Sequence, residues 1–293
     1  MQLNHKTASK TLHNTHRLGF TLIELMVVIV IIGILMALIL PAISNVRYNA
    51  RVAEVSAEFT RMELALATFQ NRFGTYPPSS ITLYGTETAW DADPTAKSVI
   101  RTIWPDFDFA TGGRGDQTIH PWGVDHKVLT GDECLVFFIG GVPVYQTGST
   151  IPTLNGFSKN SRWPFAVAGE NRDGPFYTEF KAERFVDGVG GESIADQMPS
   201  YLDSLPDQST PIWYSAATNG RYANGEPAYY QGDDKTPWKR DSYQIISPGS
   251  DTTFGNIIKT AGFKATYTDT TNFSTRKDER DNITNFSGGL LER

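Results

Sequence analysis

From Leu25 to Leu40 no side chain is polar, and from Phe20 to Ile43 the only strongly polar ones are Thr21 and Glu24. At a rise of ~1.5 Å per residue, about 20 apolar residues cross a hydrocarbon layer ~30 Å thick. The run is apolar on every side, which excludes an ordinary amphipathic surface helix. Lys6, Lys10 and Arg17 precede it, with no Asp or Glu in residues 1–19. That asymmetry keeps the N-terminus cytoplasmic and sends the remainder outward.

Three readings compete for this head. A secretory signal peptide has a shorter apolar region that ends at a small-residue cleavage site, whereas this run is longer and continues into more helix. A plain single-pass anchor fits the hydropathy but leaves Glu24 unexplained. A carboxylate in a membrane segment is costly and marks a functional site by default.

The third reading accounts for Glu24. Arg17-Leu18-Gly19-Phe20-Thr21-Leu22-Ile23-Glu24-Leu25 resembles the processing site of type IV prepilins and of type II secretion pseudopilins. The resemblance implies cleavage between Gly19 and Phe20 by a prepilin peptidase, with N-methylation of Phe20. Residues 1–19 are then a basic leader that is removed, and 20–43 a transmembrane and filament-core helix. Glycine before the scissile bond leaves the backbone open to the protease. Cleavage frees an α-ammonium on Phe20, and Glu24 becomes the fifth residue. An unpaired carboxylate in an apolar bundle costs several kcal/mol, a paired one much less. The family inference is that Glu24 meets the Phe20 ammonium of a neighbouring copy and sets axial register.

Gly33 and Pro41 are expected to interrupt the helix, since an interior proline removes a hydrogen bond and kinks the chain. Their placement resembles the pilin helix; the alternative is that Gly and Pro are simply commoner in membrane helices. Residues 44–74 read as an amphipathic continuation. Val52, Val55, Phe59, Met62, Leu66, Phe69 and Phe73 recur at spacings of three and four, one apolar stripe. Arg51, Glu54, Glu58, Arg61 and Glu63 lie off it and read as a solvated face, with Arg51–Glu54 and Glu58–Arg61 pairing weakly. Gly74 supplies a C-cap, and Pro77-Pro78 forbids continuation. The exit Asn71–Pro78 also resembles that of the major pseudopilins.

Residues 75–293 form the expected extracytoplasmic globular body. Ile81–Tyr84, Leu135–Ile139, Val142–Tyr145, Phe176–Phe180, Ile212–Tyr214 and Tyr243–Ile246 read as strands. Val99–Trp104 and Ile194–Leu202 read as short helices. The fold class is therefore α+β: a long N-terminal helix, half transmembrane and half amphipathic, packed on a C-terminal, loop-rich, antiparallel-sheet body. With 293 residues, 40% of them hydrophobic, one large domain or two small ones are affordable at ~150 residues each.

Tyr243–Asp251 followed by Gly255 resembles the strand and turn of major pseudopilins, in which the turn continues into a calcium loop. Asp251, Asp278, Asp281 and Asn282 offer oxygens of the kind calcium takes, six to eight in number. Residues 256–277 are an insertion relative to that pattern, and Asn282 stands where an Asp is usual. A solvated polar turn is the competing reading.

The other signals are weak. Cys134 is the single cysteine, so no internal disulfide forms, and it reads as a small buried hydrophobe. His120, Asp125, His126 and Cys134 match no zinc spacing. Arg114-Gly115-Asp116 is ordinary turn chemistry. No Gly-x-Ser-x-Gly, phosphate loop or dinucleotide fingerprint is present, so the chain is not expected to be an enzyme. A net charge of −6 and a pI near 5.4 argue against nucleic-acid binding.

The function expected from the resemblance is a structural subunit of a type II secretion pseudopilus, assembled from the bacterial inner membrane as a periplasmic filament. Its partners are copies of itself, other pseudopilins, the secretion platform and the prepilin peptidase. A surface type IV pilus subunit for adhesion, motility or DNA uptake is the alternative. A membrane-anchored extracytoplasmic enzyme or binding protein is the third reading.

Overall fold

The computed structural model describes residues 21–113, 126–169, 171–186, 198–222, 227–232, 236–255, 264–268 and 276–292. The chain divides into two compact units, Met1–Asn49 and Ala50–Arg293. In the first, the described residues are helical from Leu22 and almost wholly exposed.

Helix α1 (Leu22–Phe73) is 52 residues long and contains a stretch long and apolar enough to cross a membrane. It passes through Gly33 and Pro41 without a break, so the interruption expected there is absent. One lost hydrogen bond and one glycine, at ~1 kcal/mol, do not dissolve a helix whose propagation is cooperative on both sides. It ends at Gly74, where φ is +79° and the N–H donates to Gln70 O at 2.7 Å.

In the second unit the predicted stripe is the buried one: Val52, Val55, Phe59, Met62, Leu66 and Phe69 are all covered. Of the charges beside it, Arg51, Glu54 and Arg61 are exposed as expected, Glu63 is half-buried and Glu58 is buried, and their partners come from the body. Arg61 pairs with Glu179 at 2.8 Å, Glu54 with Lys181 at 3.8 Å and Arg51 donates to Ser204 O at 3.3 Å. Glu58 is buried and meets Arg184 at 2.6 Å. Glu63 accepts from Lys239 and Asn285. The helix is flanked by body residues on both sides of its stripe, so its charges find distant partners instead of one another.

After α1 come β1 (Ile81–Tyr84), the short helices α2 (Glu87–Ala92) and α3 (Pro94–Ile103), and β2 (His126–Leu129), antiparallel to β1. Helix α4 (Gly131–Gly140) then takes the place of the strand expected at Leu135–Ile139. All ten of its residues are buried, and after the acidic first turn the stretch Cys134–Ile139 is apolar on every side, as suits a helix in the interior. A short apolar run has no periodicity to separate buried strand from buried helix. The sequence did hold the deciding signal. Thr130 and Glu133 form a reciprocal capping box, in which Thr130 N–H donates to the Glu133 carboxylate at 2.8 Å.

Short antiparallel pairs follow: β3 (Pro143–Tyr145) with β4 (Pro152–Leu154), β5 (Phe157–Ser158) with β6 (Arg172–Asp173), and β7 (Phe185–Val186) with β8 (Ser200–Tyr201). Phe176–Phe180 is not a strand. Phe176 and Tyr177 instead turn both N–H groups onto Ile139 O, at 2.8 and 3.0 Å, and cap the exposed carbonyl end of α4. The helix expected over Ile194–Leu202 is likewise absent where the residues are described, because Ser200 and Tyr201 pair in β8.

The main sheet is antiparallel, built from β9 (Trp213–Ala216), β11 (Tyr243–Ser247), β13 (Ile283–Thr284) and β14 (Gly289–Leu290) in the order β14-β13-β11-β9. Every residue of β11 is buried. Its polar Gln244 is satisfied by acting as a cross-link: Oε1 accepts from Tyr229 N–H, while Nε2 donates to Tyr229 O and Trp238 O. That ties in β10 (Ala228–Tyr230), which pairs in parallel with β12 (Lys264–Thr266). Phe69, Trp90, Trp104, Phe137, Phe157 and Phe165 lead an aromatic core beneath α1 and α4. Edge-to-face contacts such as Trp104–Phe157, with centroids 5.0 Å apart, fix their orientation.

Candidate functional site

Two places carry the residues singled out in the sequence, the head of α1 and the turn after β11. Gly19, Phe20 and the basic leader lie outside the described residues, as do His120, Asp125 and Arg114–Asp116.

At the head, Thr21 is the residue before the helix, and Glu24 stands three positions on. Thr21 N–H donates to Glu24 Oε2 at 2.8 Å, the Thr21 hydroxyl donates to the same oxygen at 2.7 Å, and Glu24 N–H donates back to Thr21 Oγ1 at 3.2 Å. This reciprocal capping box occupies two of the backbone donors that a helix start leaves open. Sequence reasoning missed it, although Thr21-Leu22-Ile23-Glu24 is its plain signature. Glu24 is thus held by a local bond within its own chain, at the end of a helix whose apolar residues up to Leu40 are exposed.

At the turn, Pro248–Gly255 faces Asp278–Asn282, on and just after a 3₁₀ turn at Lys277–Glu279. Asp281 Oδ2 accepts from Ser250 N–H (2.7 Å), Ser250 Oγ (2.7 Å) and Asp251 N–H (3.2 Å). Asp251 Oδ1 accepts from Thr253 N–H at 2.9 Å. Burial, with the charges of Asp281 and Asp278, raises the Asp251 carboxyl above its ordinary value. Gly249 has φ +73°, and a Cβ there would strike the Asp281 carbonyl, which explains a glycine at this point. The structure therefore gathers Asp251, Asp281 and Asn282 around one turn, with Asp278 exposed alongside.

Among the described residues that donor set is short of what a calcium ion takes. Among the described residues no three His, Cys, Asp or Glu side chains converge on one point. Asp281 Oδ1 and Thr253 Oγ1 are buried with no hydrogen-bond partner and are available, but two oxygens fall short of the six to eight that calcium takes. The other carboxylate oxygens named above are committed to N–H and O–H donors.

Elsewhere, His126 lies in β2, and Cys134 is a buried thiol in α4.

A long apolar helix headed by the Thr21–Glu24 capping box, and a body closed by an antiparallel sheet, are features of a pilin-like subunit. Residues 14–40 match the prokaryotic N-terminal methylation motif. Type II secretion system core protein G of Klebsiella pneumoniae is 30% identical over 112 residues, covering 38% of this chain and 74% of that protein. The chain belongs to the pseudopilin family of type II secretion, within the wider type IV pilin-like group. That family consists of structural subunits, not enzymes. No solved structure matches the chain.

Proposed function

We propose that this chain is a filament subunit of a type II secretion pseudopilus. It is cleaved between Gly19 and Phe20 by a prepilin peptidase, methylated at Phe20, and assembled from the inner membrane with other pseudopilins on the secretion platform. The observation that carries the reading is the exposed apolar half of α1 with Glu24 at its head. In a fibre such a helix is covered by neighbouring copies, and Glu24 then pairs with the Phe20 ammonium of the next subunit and sets register. Gly33 and Pro41 mark where the helix opens as subunits lock together. The likeness to core protein G favours secretion over a surface pilus.

The capping box gives Glu24 a competing, purely local role, and one substitution separates the two. Glutamine at the same position still accepts from Thr21 but carries no charge. Glu24→Gln is expected to leave the helix and membrane insertion intact while abolishing incorporation into fibres, as read by shearing and by secretion of substrate protein. Normal fibres from Glu24→Gln would refute the register mechanism. A Gly19 variant that is processed as efficiently as wild type would refute the cleavage site.

A further inference from the structure

The side chain of Asn282 is fully buried, and its surroundings dictate its orientation. With the amide nitrogen toward the turn it donates to Pro248 O at 3.1 Å and Thr253 O at 3.2 Å, while Oδ1 accepts from the Tyr229 hydroxyl at 2.9 Å. Reversed, the carboxamide oxygen would face two carbonyl oxygens. The positive end of the amide dipole therefore lies between two backbone carbonyls, five residues apart, that the turn brings together.

We propose that Asn282 does in this chain what a bound cation does in a calcium loop: its amide clamps the Pro248–Gly255 turn, which closes without metal. The carbonyls a cation would recruit are already satisfied by Nδ2, and Asp281 holds the turn from the other side through Ser250 and Asp251. An aspartate at 282 would reverse the chemistry. It would set an unpaired carboxylate against Pro248 O and Thr253 O, beside the open Asp281 Oδ1, which is an oxygen set that a divalent cation can neutralise. One atom at position 282, nitrogen or oxygen, thus decides whether the turn depends on metal.

The test uses the full chain in detergent, with thermal melting followed by near-ultraviolet circular dichroism in millimolar calcium or in excess chelator. Wild type is expected to melt at the same temperature in both. A rise of several degrees in calcium overturns the proposal. Asn282→Ala is expected to melt lower than wild type, equally in both buffers, and a midpoint unchanged from wild type shows that the clamp has no weight. Asn282→Asp is expected to melt lower in chelator and to recover in calcium, and indifference to calcium there also counts against the proposal. If that variant does not fold, equilibrium dialysis of wild type against calcium decides the matter, because stoichiometric tight binding contradicts a metal-free turn.

Discussion

Arg184 Nη2 lies 2.6 Å from Glu58 Oε2, and both side chains are almost wholly removed from solvent. The arginine also donates to Leu202 O at 2.8 Å and stacks over Tyr201 at 4.4 Å. A residue of the helical spine is thereby fastened to Arg184, 126 positions later in the chain, and through it to Leu202 just after β8.

Removing one partner of a buried ion pair strands the other, at a cost of ~3–5 kcal/mol. Glu58→Ala is expected to lower unfolding stability by about 3 kcal/mol in denaturant titrations. Arg184→Ala should cost a similar amount, and the double variant less than the sum of the two. Strict additivity would show that the pair is not coupled.

Burial, reinforced by neighbouring Asp132, pushes the Glu133 carboxyl from its ordinary 4.5 up to about 7, against the pull of Thr130 N–H and Lys127. The folded state then keeps a proton that the unfolded chain releases. This contribution is complete below pH 4.5 and is lost as pH rises through about 7, on the order of 2–3 kcal/mol. The carboxyls of Asp132 and Asp203, raised by burial, act in the same sense. Stability measured from pH 5 to 8 should fall, and Glu133→Gln, which keeps the capping bond, should flatten the fall. Equal slopes in both proteins would exclude Glu133 as its source.

Gly141 closes α4 with φ +97°, and a Cβ there would overlap the backbone of Gly156. Gly141→Ala combines a strained conformation with a backbone clash, for an expected loss of roughly 2–4 kcal/mol. A variant within about 0.5 kcal/mol of wild type would mean that the two segments separate freely.

Cys134 is buried inside α4, with its sulfur 3.8 Å from Leu129 O. The native protein is expected to resist a thiol-directed chromophore, and the denatured one to react with a single equivalent. Rapid modification under native conditions would mean that α4 opens.

What the sequence made legible was local or periodic. The apolar head, the stripe from Val52 to Phe69, the exit at Gly74, and strands β1 and β11 all follow from patterns within a few residues. Two further signals are equally local: the capping boxes Thr21–Glu24 and Thr130–Glu133, the second of which identifies α4 as a helix. The rest was out of reach for a physical reason. Glu58 and Glu63 look solvated until Arg184 and Asn285 arrive, and Gln244 looks like an ordinary strand residue until Tyr229 lies beside it. At the candidate metal turn the residues were found, but the direction of the Asn282 amide depends on Pro248, Thr253 and Tyr229 together.

Asn285 Nδ2 donates to Glu63 Oε1, 222 positions earlier in the chain, at 2.8 Å. During synthesis Glu63 is made long before its partner. At roughly 5–20 residues per second of synthesis, Glu63 waits ~10 s or more for Asn285. The Glu63–Asn285 contact therefore closes only after β13 of the body has been made.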